Sequence, residues 1–196
     1  MKIAILLLGA GSSTRMGVVK QLLAVGETTL LGVTIEQALR SKAAKVYCVL
    51  GANSETIKPS ISTYNIESII NPNYKTGLSS SIVAGIEHLK HQDFDATLIM
   101  LGDQPLITAA YLNEMMETFK NNVEKIIASK YKTSSGVPSI IPKKYYSQLL
   151  KLTGDKGAKD FLNRHQKEII TLKNINLMDI DTKKEYQDYL NSIHSE

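Results

Sequence analysis

The sequence predicts an α/β fold, a three-layer sandwich in which helices cover both faces of a mostly parallel sheet. Short apolar runs alternate with segments that carry apolar residues at helical spacing. The short runs lack the polar alternation of half-exposed strands, which is typical of parallel strands buried on both faces. Right-handed crossovers then join successive strands, and ligands are expected outside the carboxyl ends of the strands.

The first two thirds of the chain contain five expected strands and four expected helices. The strands are residues 2–8, 45–51, 67–71, 96–101 and 125–130. The helices are residues 29–41, 54–64, 79–91 and 109–121. Pro59 is expected at an end or a kink of the second helix, because its ring cannot continue the helical hydrogen bonds.

The pattern loosens after about Tyr131. Residues 136–146 predict a short extended segment ended by Pro142, and residues 147–165 predict two helices separated by a glycine-rich turn. Residues 176–190 predict a strand that runs into a last helix. Thr182 and Glu185 have the spacing of a capping box, so Asp181 is expected where that strand gives way to the helix.

Composition indicates an ordinary globular protein of one domain. Of 196 residues, 43% are hydrophobic and 21% are charged, which excludes a disordered chain. We find no signal peptide and no run that could span a bilayer, so we expect a cytoplasmic protein without a membrane partner. The net charge of +4 comes from dispersed lysines, which does not favour nucleic acid. Cys48 lies in an apolar run and is expected to be buried.

A glycine-rich turn follows the first expected strand, at residues 9–14. Glycine there allows several backbone N–H groups to converge on one anion, most often a nucleotide phosphate. Arg15 and Lys20 follow, and two cations favour a loop folded over a triphosphate. The turn is not a P-loop, because no Gly-Lys-Ser/Thr occurs at the required spacing.

A candidate metal ligand follows the strand at residues 96–101. Asp103 is expected at the same sheet edge as the glycine turn, where a carboxylate beside a polyphosphate is placed to hold Mg²⁺. The alternative is structural: Asp103 caps the helix that begins near Thr108 or fixes the turn that precedes it.

Taken together and in order, six motifs resemble the molybdenum cofactor nucleotidyltransferases, which are MobA-like NTP transferases, and most closely their cytidylyltransferase branch. The motifs are residues 8–23 (LGAGSSTRMGVVKQLL), Gly77-Leu78-Ser79-Ser80-Ser81 with Gly85, Gly102-Asp103-Gln104-Pro105, Gly136-Val137-Pro138, Gly154-Asp155-Lys156-Gly157-Ala158 and Asp179-Ile180-Asp181-Thr182. The resemblance implies a Rossmann-like sandwich of the nucleotide-diphospho-sugar transferase type. It also implies a single domain over residues 1–196, with a nucleotide-binding half to about residue 130 and an acceptor-side half from about 131.

The resemblance also implies a reaction, in which the terminal phosphate of molybdopterin takes CMP from CTP and pyrophosphate is released. Arg15, Lys20 and Asp103 would be the catalytic residues: the two cations hold the triphosphate, while Asp103 and Asp181 hold Mg²⁺. Such displacements depend on positioning and electrostatic stabilisation, so no nucleophilic side chain is required. The expected partners are CTP or another NTP, a molybdopterin-type acceptor, and a molybdoenzyme or its chaperone.

The nucleotide site implied by the resemblance combines the first motif with two later positions. Its residues are Leu8, Gly9, Ala10, Gly11, Ser12, Arg15, Lys20, Ser79 and Asp103. Ala10 favours CTP, because its methyl group crowds a purine more than a pyrimidine. Gly9 departs from the family's usual alanine. Ser79 is expected either to contact base or ribose, or to cap its helix.

The acceptor site is expected to contain Gly136, Pro138 and Asp155. Gly136 and Pro138 would shape the pocket, whereas Asp155 would either contact the acceptor or cap the following helix. Lys159 stands where the family often has arginine, and lysine cannot form the planar fork of a guanidinium.

Three alternatives stay open at this point. One is a guanylyltransferase, or a sugar- or alcohol-phosphate nucleotidyltransferase, of the same fold. Another is an NAD(P)-binding oxidoreductase, which only the turn at residues 9–14 supports. A third is a non-catalytic protein that carries the cofactor. The histidines at positions 88, 91, 165 and 194 lack the spacing of a metal site or a catalytic triad.

Overall fold

A seven-stranded sheet forms the centre of the molecule. The computed structural model describes residues 1–13, 16–173 and 175–193. The strands are β1 (Ile3–Leu8), β2 (Ala24–Val25), β3 (Thr28–Thr29), β4 (Lys45–Leu50), β5 (Glu67–Ile70), β6 (Ala96–Leu101), β7 (Ile126–Lys130), β8 (Ser135–Pro142) and β9 (Ile169–Leu172). The main sheet has the order β5-β4-β1-β6-β8-β7-β9, and only β8 runs antiparallel to its neighbours. The remaining two strands, β2 and β3, form a small hairpin.

Helices cover both faces of this sheet. They are α1 (Leu30–Arg40), α2 (Ser54–Ser60), α3 (Leu78–Leu89), α4 (Ala109–Lys120), α5 (Tyr146–Leu149), α6 (Lys159–Arg164) and α7 (Lys183–Ile193). Side chains of α1, α2 and α4 form one buried cluster with the sheet, and those of α3, α5 and α6 form another on the opposite face. Alternate residues of β1 enter opposite clusters, which explains why the whole strand is apolar. The predicted three-layer sandwich is therefore confirmed.

The parallel pairing of β1 with β6 positions the site. Leu8 pairs with Leu101, so the loops that follow both strands leave the same edge of the sheet. Two backbone hydrogen bonds continue the ladder beyond the strand ends, from Gly9 N to Val49 O (2.9 Å) and from Gly102 N to Leu8 O (3.0 Å). Both loops consequently begin from a rigid support.

One expected element is wrong. Residues 176–181 do not form a strand; the strand of this region is β9, which precedes them. Residues 175–182 instead run along the carboxyl edge of the sheet, where Ile180 N donates to Asp103 O (2.9 Å). Ile180 shares a buried cluster with Leu30 of α1 and Tyr189 of α7, whereas Ile175 and Leu177 pack against the core between the sheet and α1, α2 and α4.

Several local predictions are confirmed. Pro59 lies in the last turn of α2. Thr182 Oγ1 accepts from Glu185 N (3.2 Å), and Glu185 Oε2 accepts from Thr182 N (2.8 Å), which is the expected capping box at the start of α7. Cys48 is fully buried, and burial raises the pKa of its thiol to about 12. Within the described ranges, no helix is long and apolar enough to cross a membrane.

Candidate active site

The glycine loop after β1 is anchored at its base and open at its tip. Ala52 N donates to Ala10 O (3.1 Å), which fixes the first part of the loop against the end of β4. At Gly11 an added Cβ would meet nothing within 4 Å, so this side of the loop faces open space. Within the described residues, the amide groups of Gly11 and Ser12 have no hydrogen-bond partner. The loop therefore presents free donors, as an anion site requires.

The buried side chain of Gln21 holds the loop in this shape. Its Nε2 donates to Gly9 O (3.0 Å) and Gly11 O (2.9 Å), and its Oε1 accepts from Ser13 Oγ (3.1 Å). The residue is only 3% exposed. Ser13, which adopts a left-handed conformation (φ 56°), also accepts from Lys20 N (3.2 Å) through its hydroxyl. Gln21 thus satisfies two carbonyl groups of the loop, those of Gly9 and Gly11.

Lys20 lies between two carboxylates from distant parts of the chain. Its Nζ contacts Asp103 Oδ2 and lies 2.9 Å from Asp181 Oδ1. The prediction that Lys20 and Asp103 meet at one sheet edge is confirmed, and Asp181 joins them because residues 175–182 cross that edge. Arg15, the other predicted cation, lies outside the described residues.

Partial burial strengthens the attraction between the charges of Lys20, Asp103 and Asp181. The side chains of Lys20, Asp103 and Asp181 are 13%, 18% and 28% exposed. Burial disfavours the charged ammonium, but Asp103 and Asp181 outweigh it and raise the pKa of Lys20 above its ordinary value. The pKa of Asp179 is also raised, by burial and by the nearby charge of Asp103.

The donor set fits a hard divalent cation. Asp103 Oδ1 is buried and has no hydrogen-bond partner, which leaves one carboxylate oxygen uncommitted beside the ion pair. Carboxylate oxygens are the ligands that Mg²⁺ and Mn²⁺ prefer. Among the described residues no three His, Cys, Asp or Glu side chains form a metal cluster, so further ligands would have to come from phosphate or water. Asp103 does not cap α4, because the N-cap of that helix is Thr108.

A hydrogen-bond network runs from Gln104, the residue after Asp103, to the acceptor side. Gln104, which is fully buried, donates through Nε2 to Asp179 Oδ1 (2.8 Å) and to the hydroxyl of Tyr131 (3.0 Å). That hydroxyl donates to Val137 O (2.7 Å), and burial raises the pKa of Tyr131 to about 12. The Tyr131 ring also lies against Gly136, where a Cβ would approach ring atom Cε2 to 2.5 Å.

A cavity of about 620 Å³ opens in front of the glycine loop. Its walls are Ala10, Gly11, Ser12, Ala52, Asn53, Tyr74, Lys75, Gly77, Leu78, Ser81 and Asp155. Three predicted nucleotide-binding residues, Ala10, Gly11 and Ser12, thus face one space. Leu8 belongs to the core behind it, and Gly9 is bonded to the end of β4.

Ser79 fits neither expectation for it. Its hydroxyl donates to Thr153 O (3.1 Å) and its amide donates to Gly154 O (3.1 Å), and the residue is 1% exposed. The N-cap of α3 is Gly77, which caps without a side chain. Ser79 therefore holds the turn before α6 against the start of α3.

A second cavity, of about 200 Å³, contains part of the predicted acceptor set. Gly136 and Val137 line it together with Tyr131, Lys156 and Lys159, whereas Pro138 is buried behind it. Asp155 does not line this cavity but the one in front of the glycine loop. It is not a helix cap either, because the N-cap of α6 is Ala158.

Four residues of the site are not among those predicted from the sequence: Gln21, Gln104, Asp179 and Tyr131. Gln21 and Gln104 each directly follow a predicted site residue, within the quoted motifs. That adjacency is the one signal by which they could have been found. Asp179 belongs to the last quoted motif, in which Asp181 is the predicted site residue. Nothing in the sequence pattern distinguishes Tyr131.

Solved structures share this architecture over nearly the whole chain. Rv0371c of Mycobacterium tuberculosis H37Rv superposes with a TM-score of 0.85 at 23% sequence identity, and the match covers 97% of each chain. A manganese complex of that protein gives a TM-score of 0.82 at 22% identity, covering 98% of this chain and 100% of that one. A nucleotidyl transferase of a Methanothermobacter species gives 0.85 at 17%, covering 100% and 99%. CMP:2-keto-3-deoxy-manno-octonic acid synthetase in complex with CTP gives 0.75 at 11%, with the same coverage.

Sequence comparison gives the family. The chain is 29% identical over 121 residues to the bifunctional protein GlmU of Shouchella clausii, which covers 61% of this chain and 26% of that protein. The chain therefore spans about a quarter of the length of the curated relatives it matches. Residues 5–169 match the MobA-like NTP transferase domain. That match includes the glycine loop, Lys20 and Asp103, and it shows that the chain belongs to the MobA-like NTP transferase family.

Proposed function

We propose that the protein transfers CMP from CTP to the terminal phosphate of molybdopterin and releases pyrophosphate, with Mg²⁺ as the metal. The observation that carries this proposal is the meeting of Lys20, Asp103 and Asp181 beside the open glycine loop. Family membership supports nucleotidyl transfer. The CTP complex and the manganese complex of two fold neighbours support the base and the use of a divalent metal.

The residues of the site would act by binding and by charge neutralisation. The amides of Gly11 and Ser12 would bind a phosphate group of the nucleotide, and Lys20 would neutralise charge that develops on the triphosphate. An oxygen of the acceptor phosphate attacks the α-phosphorus, the bond to the bridging oxygen of the β-phosphate breaks, and pyrophosphate leaves with that electron pair. Asp103 and Asp181 would hold the metal, which supplies further positive charge at the phosphates when bound.

Lys20 would have to change partners during this reaction. In this structure its ammonium is held by Asp103 and Asp181, in the position between the two carboxylates where a divalent cation would bind. A triphosphate on the glycine loop offers Lys20 a more highly charged partner. Nucleotide binding would thus release both carboxylates for the metal.

The acceptor would bind at the second cavity. Lys156 and Lys159 line it and are suited to an anionic acceptor such as a phosphate monoester. The hydrogen bonds from Gln104 to Tyr131 and from Tyr131 to Val137 would fix the position of the cavity relative to Asp103. Gly136 and Pro138 would shape the cavity, as the resemblance implies.

The proposal is tested by measuring pyrophosphate release with molybdopterin, Mg²⁺ and each of the four NTPs. We expect release with CTP, and a loss of at least a hundredfold in kcat/KM for Asp103→Asn, in line with the loss of one major electrostatic group (about 10²–10³). The matched control is Asp93→Asn, an exposed carboxylate paired with Lys2 at the other edge of the sheet. No release with CTP would contradict the proposal, and release with GTP alone would favour guanylyl transfer.

A further inference from the structure

The cavity in front of the glycine loop contains an acidic side chain that the proposed reaction does not use. Asp155 is the one carboxylate, and Lys75 the one cation, among the described residues that line it. Neither triphosphate nor metal explains Asp155, because a carboxylate repels phosphate and Asp103 and Asp181 already form the metal site. Because Asp155 lines the same cavity as the glycine loop, contact with the nucleoside part of the ligand is the use that is left for it.

The position of Asp155 is built by the start of α3. Two hydrogen bonds from Ser79, to Thr153 O and Gly154 O, hold the preceding residues against the helix. Gly77, in a left-handed conformation (φ 106°), leaves the space for the carboxylate, since a Cβ there would lie 2.5 Å from Asp155 Oδ1. A side chain at Gly77 would therefore clash with the Asp155 carboxylate and, at the same distance, with the Gly154 backbone, so glycine at this position leaves room for Asp155 beside the cavity.

The carboxylate is available to a ligand. Within the described residues, Asp155 makes no hydrogen bond and no ion pair: the nearby lysine, Lys156, pairs instead with Asp160 (3.3 Å). A carboxylate accepts hydrogen bonds and donates none. It therefore selects for a group that presents N–H donors towards it.

We propose that Asp155 is a specificity residue that accepts a hydrogen bond from the exocyclic amino group of the base, which for CTP is the N4 amino group of cytosine. Uracil has the same size but presents an acceptor, O4, at that position, so UTP would place two acceptors face to face. Ala10 limits the size of the base, and Asp155 selects between bases of equal size. This inference rests on the proposed binding of a nucleotide in this cavity.

The test compares the dissociation constants of CTP and UTP by isothermal titration calorimetry with the full chain in Mg²⁺. We expect the wild-type chain to bind CTP about tenfold more tightly than UTP, as one correctly paired hydrogen bond gives. Asp155→Asn, whose amide can donate to O4, should bring the ratio to one or below. Asp160→Asn, an exposed acid five residues away on α6, should leave the ratio unchanged.

The outcomes separate this inference from the proposed function. A wild-type chain that binds no NTP contradicts the proposed function. Equal binding of CTP and UTP by the wild-type chain, or an unchanged ratio in Asp155→Asn, overturns the inference alone. If Asp155→Asn raises KM for molybdopterin and leaves the ratio of CTP to UTP affinity unchanged, the inference is also overturned and Asp155 is assigned to the acceptor site. If the chain binds GTP and not CTP, GTP is compared with ITP, which lacks the 2-amino group, and the same shift in Asp155→Asn is required.

Discussion

Replacing Lys20 by methionine tests the exchange between ammonium and metal. The substitution keeps a side chain of similar length and removes the positive charge from between Asp103 and Asp181. Loss of one partner of a buried ion pair costs about 3–5 kcal/mol, and loss of an exposed pair costs 0–1 kcal/mol. The three side chains are 13–28% exposed. We therefore expect a loss of about 2 kcal/mol in the free energy of unfolding at neutral pH, or about 4–8 °C in Tm for a chain of this length.

The same variant should bind metal without nucleotide. With the ammonium gone, both carboxylates are open to Mn²⁺, so we expect nucleotide-free Lys20→Met to bind Mn²⁺ at least tenfold more tightly than the wild-type chain, a change of about 1.4 kcal/mol. Electron paramagnetic resonance of free Mn²⁺ measures this. Saturating Mn²⁺ should also restore part of the lost Tm. In the wild-type chain, tight Mn²⁺ binding should require CTP.

Lys120→Met is the matched control for Lys20→Met. Lys120→Met removes an exposed lysine that pairs with Glu117 on α4, and it should change neither Mn²⁺ affinity nor, by more than 1–2 °C, the Tm. The pKa of Lys20 is raised above 10.5, so its contribution to stability is fully present below that pH and is lost only as the pH rises through the higher value. Equal Mn²⁺ affinity of wild type and Lys20→Met without nucleotide would refute the exchange.

Two further predictions concern residues that position the site. Gln21→Glu places a carboxylate against Gly9 O and Gly11 O, so we expect KM for CTP to rise at least tenfold while kcat changes less. Gln21→Asn keeps the amide and should retain more affinity for CTP than Gln21→Glu. Equal KM values for wild type and both variants would contradict the role of Gln21 in holding the loop. The pKa of Glu185 is lowered by hydrogen bonds from the backbone of Asp181 and from Thr182. Its contribution to stability is therefore present above pH 4.5 and lost as the pH falls below it, so the Tm advantage of wild type over Glu185→Gln should be seen at pH 7 and disappear near pH 3.

The sequence predicts the elements on which the site depends because their physical signals are local. The apolar run of β1 and the glycines after it identify a buried parallel strand followed by an open loop. The rule that parallel strands end at one edge then predicts that Lys20 and Asp103 meet. Thr182 and Glu185 mark the start of α7 because a capping box depends on residues only three apart.

The remaining features depend on contacts between distant segments. Gln21 and Gln104 are amides whose partners are set by the folded loops, so the sequence places them next to predicted site residues but does not identify their hydrogen bonds. The strand expected near Asp179 is absent because hydrogen bonding to the Asp103 loop replaces sheet pairing there. Asp155 lies in a turn that Ser79, at the start of α3, holds by hydrogen bonds, and the sequence carries no signal for that contact.

The central claim is that the glycine loop, Lys20, Asp103 and Asp181 bind one metal–triphosphate complex. A crystal structure of the protein with CTP and Mn²⁺, using the anomalous signal of manganese to locate the ion, tests it most directly. The account predicts a manganese ion ligated by Asp103, Asp181 and phosphate oxygens, with Lys20 on the triphosphate. A triphosphate bound elsewhere, with Lys20 still between the two carboxylates, would contradict it.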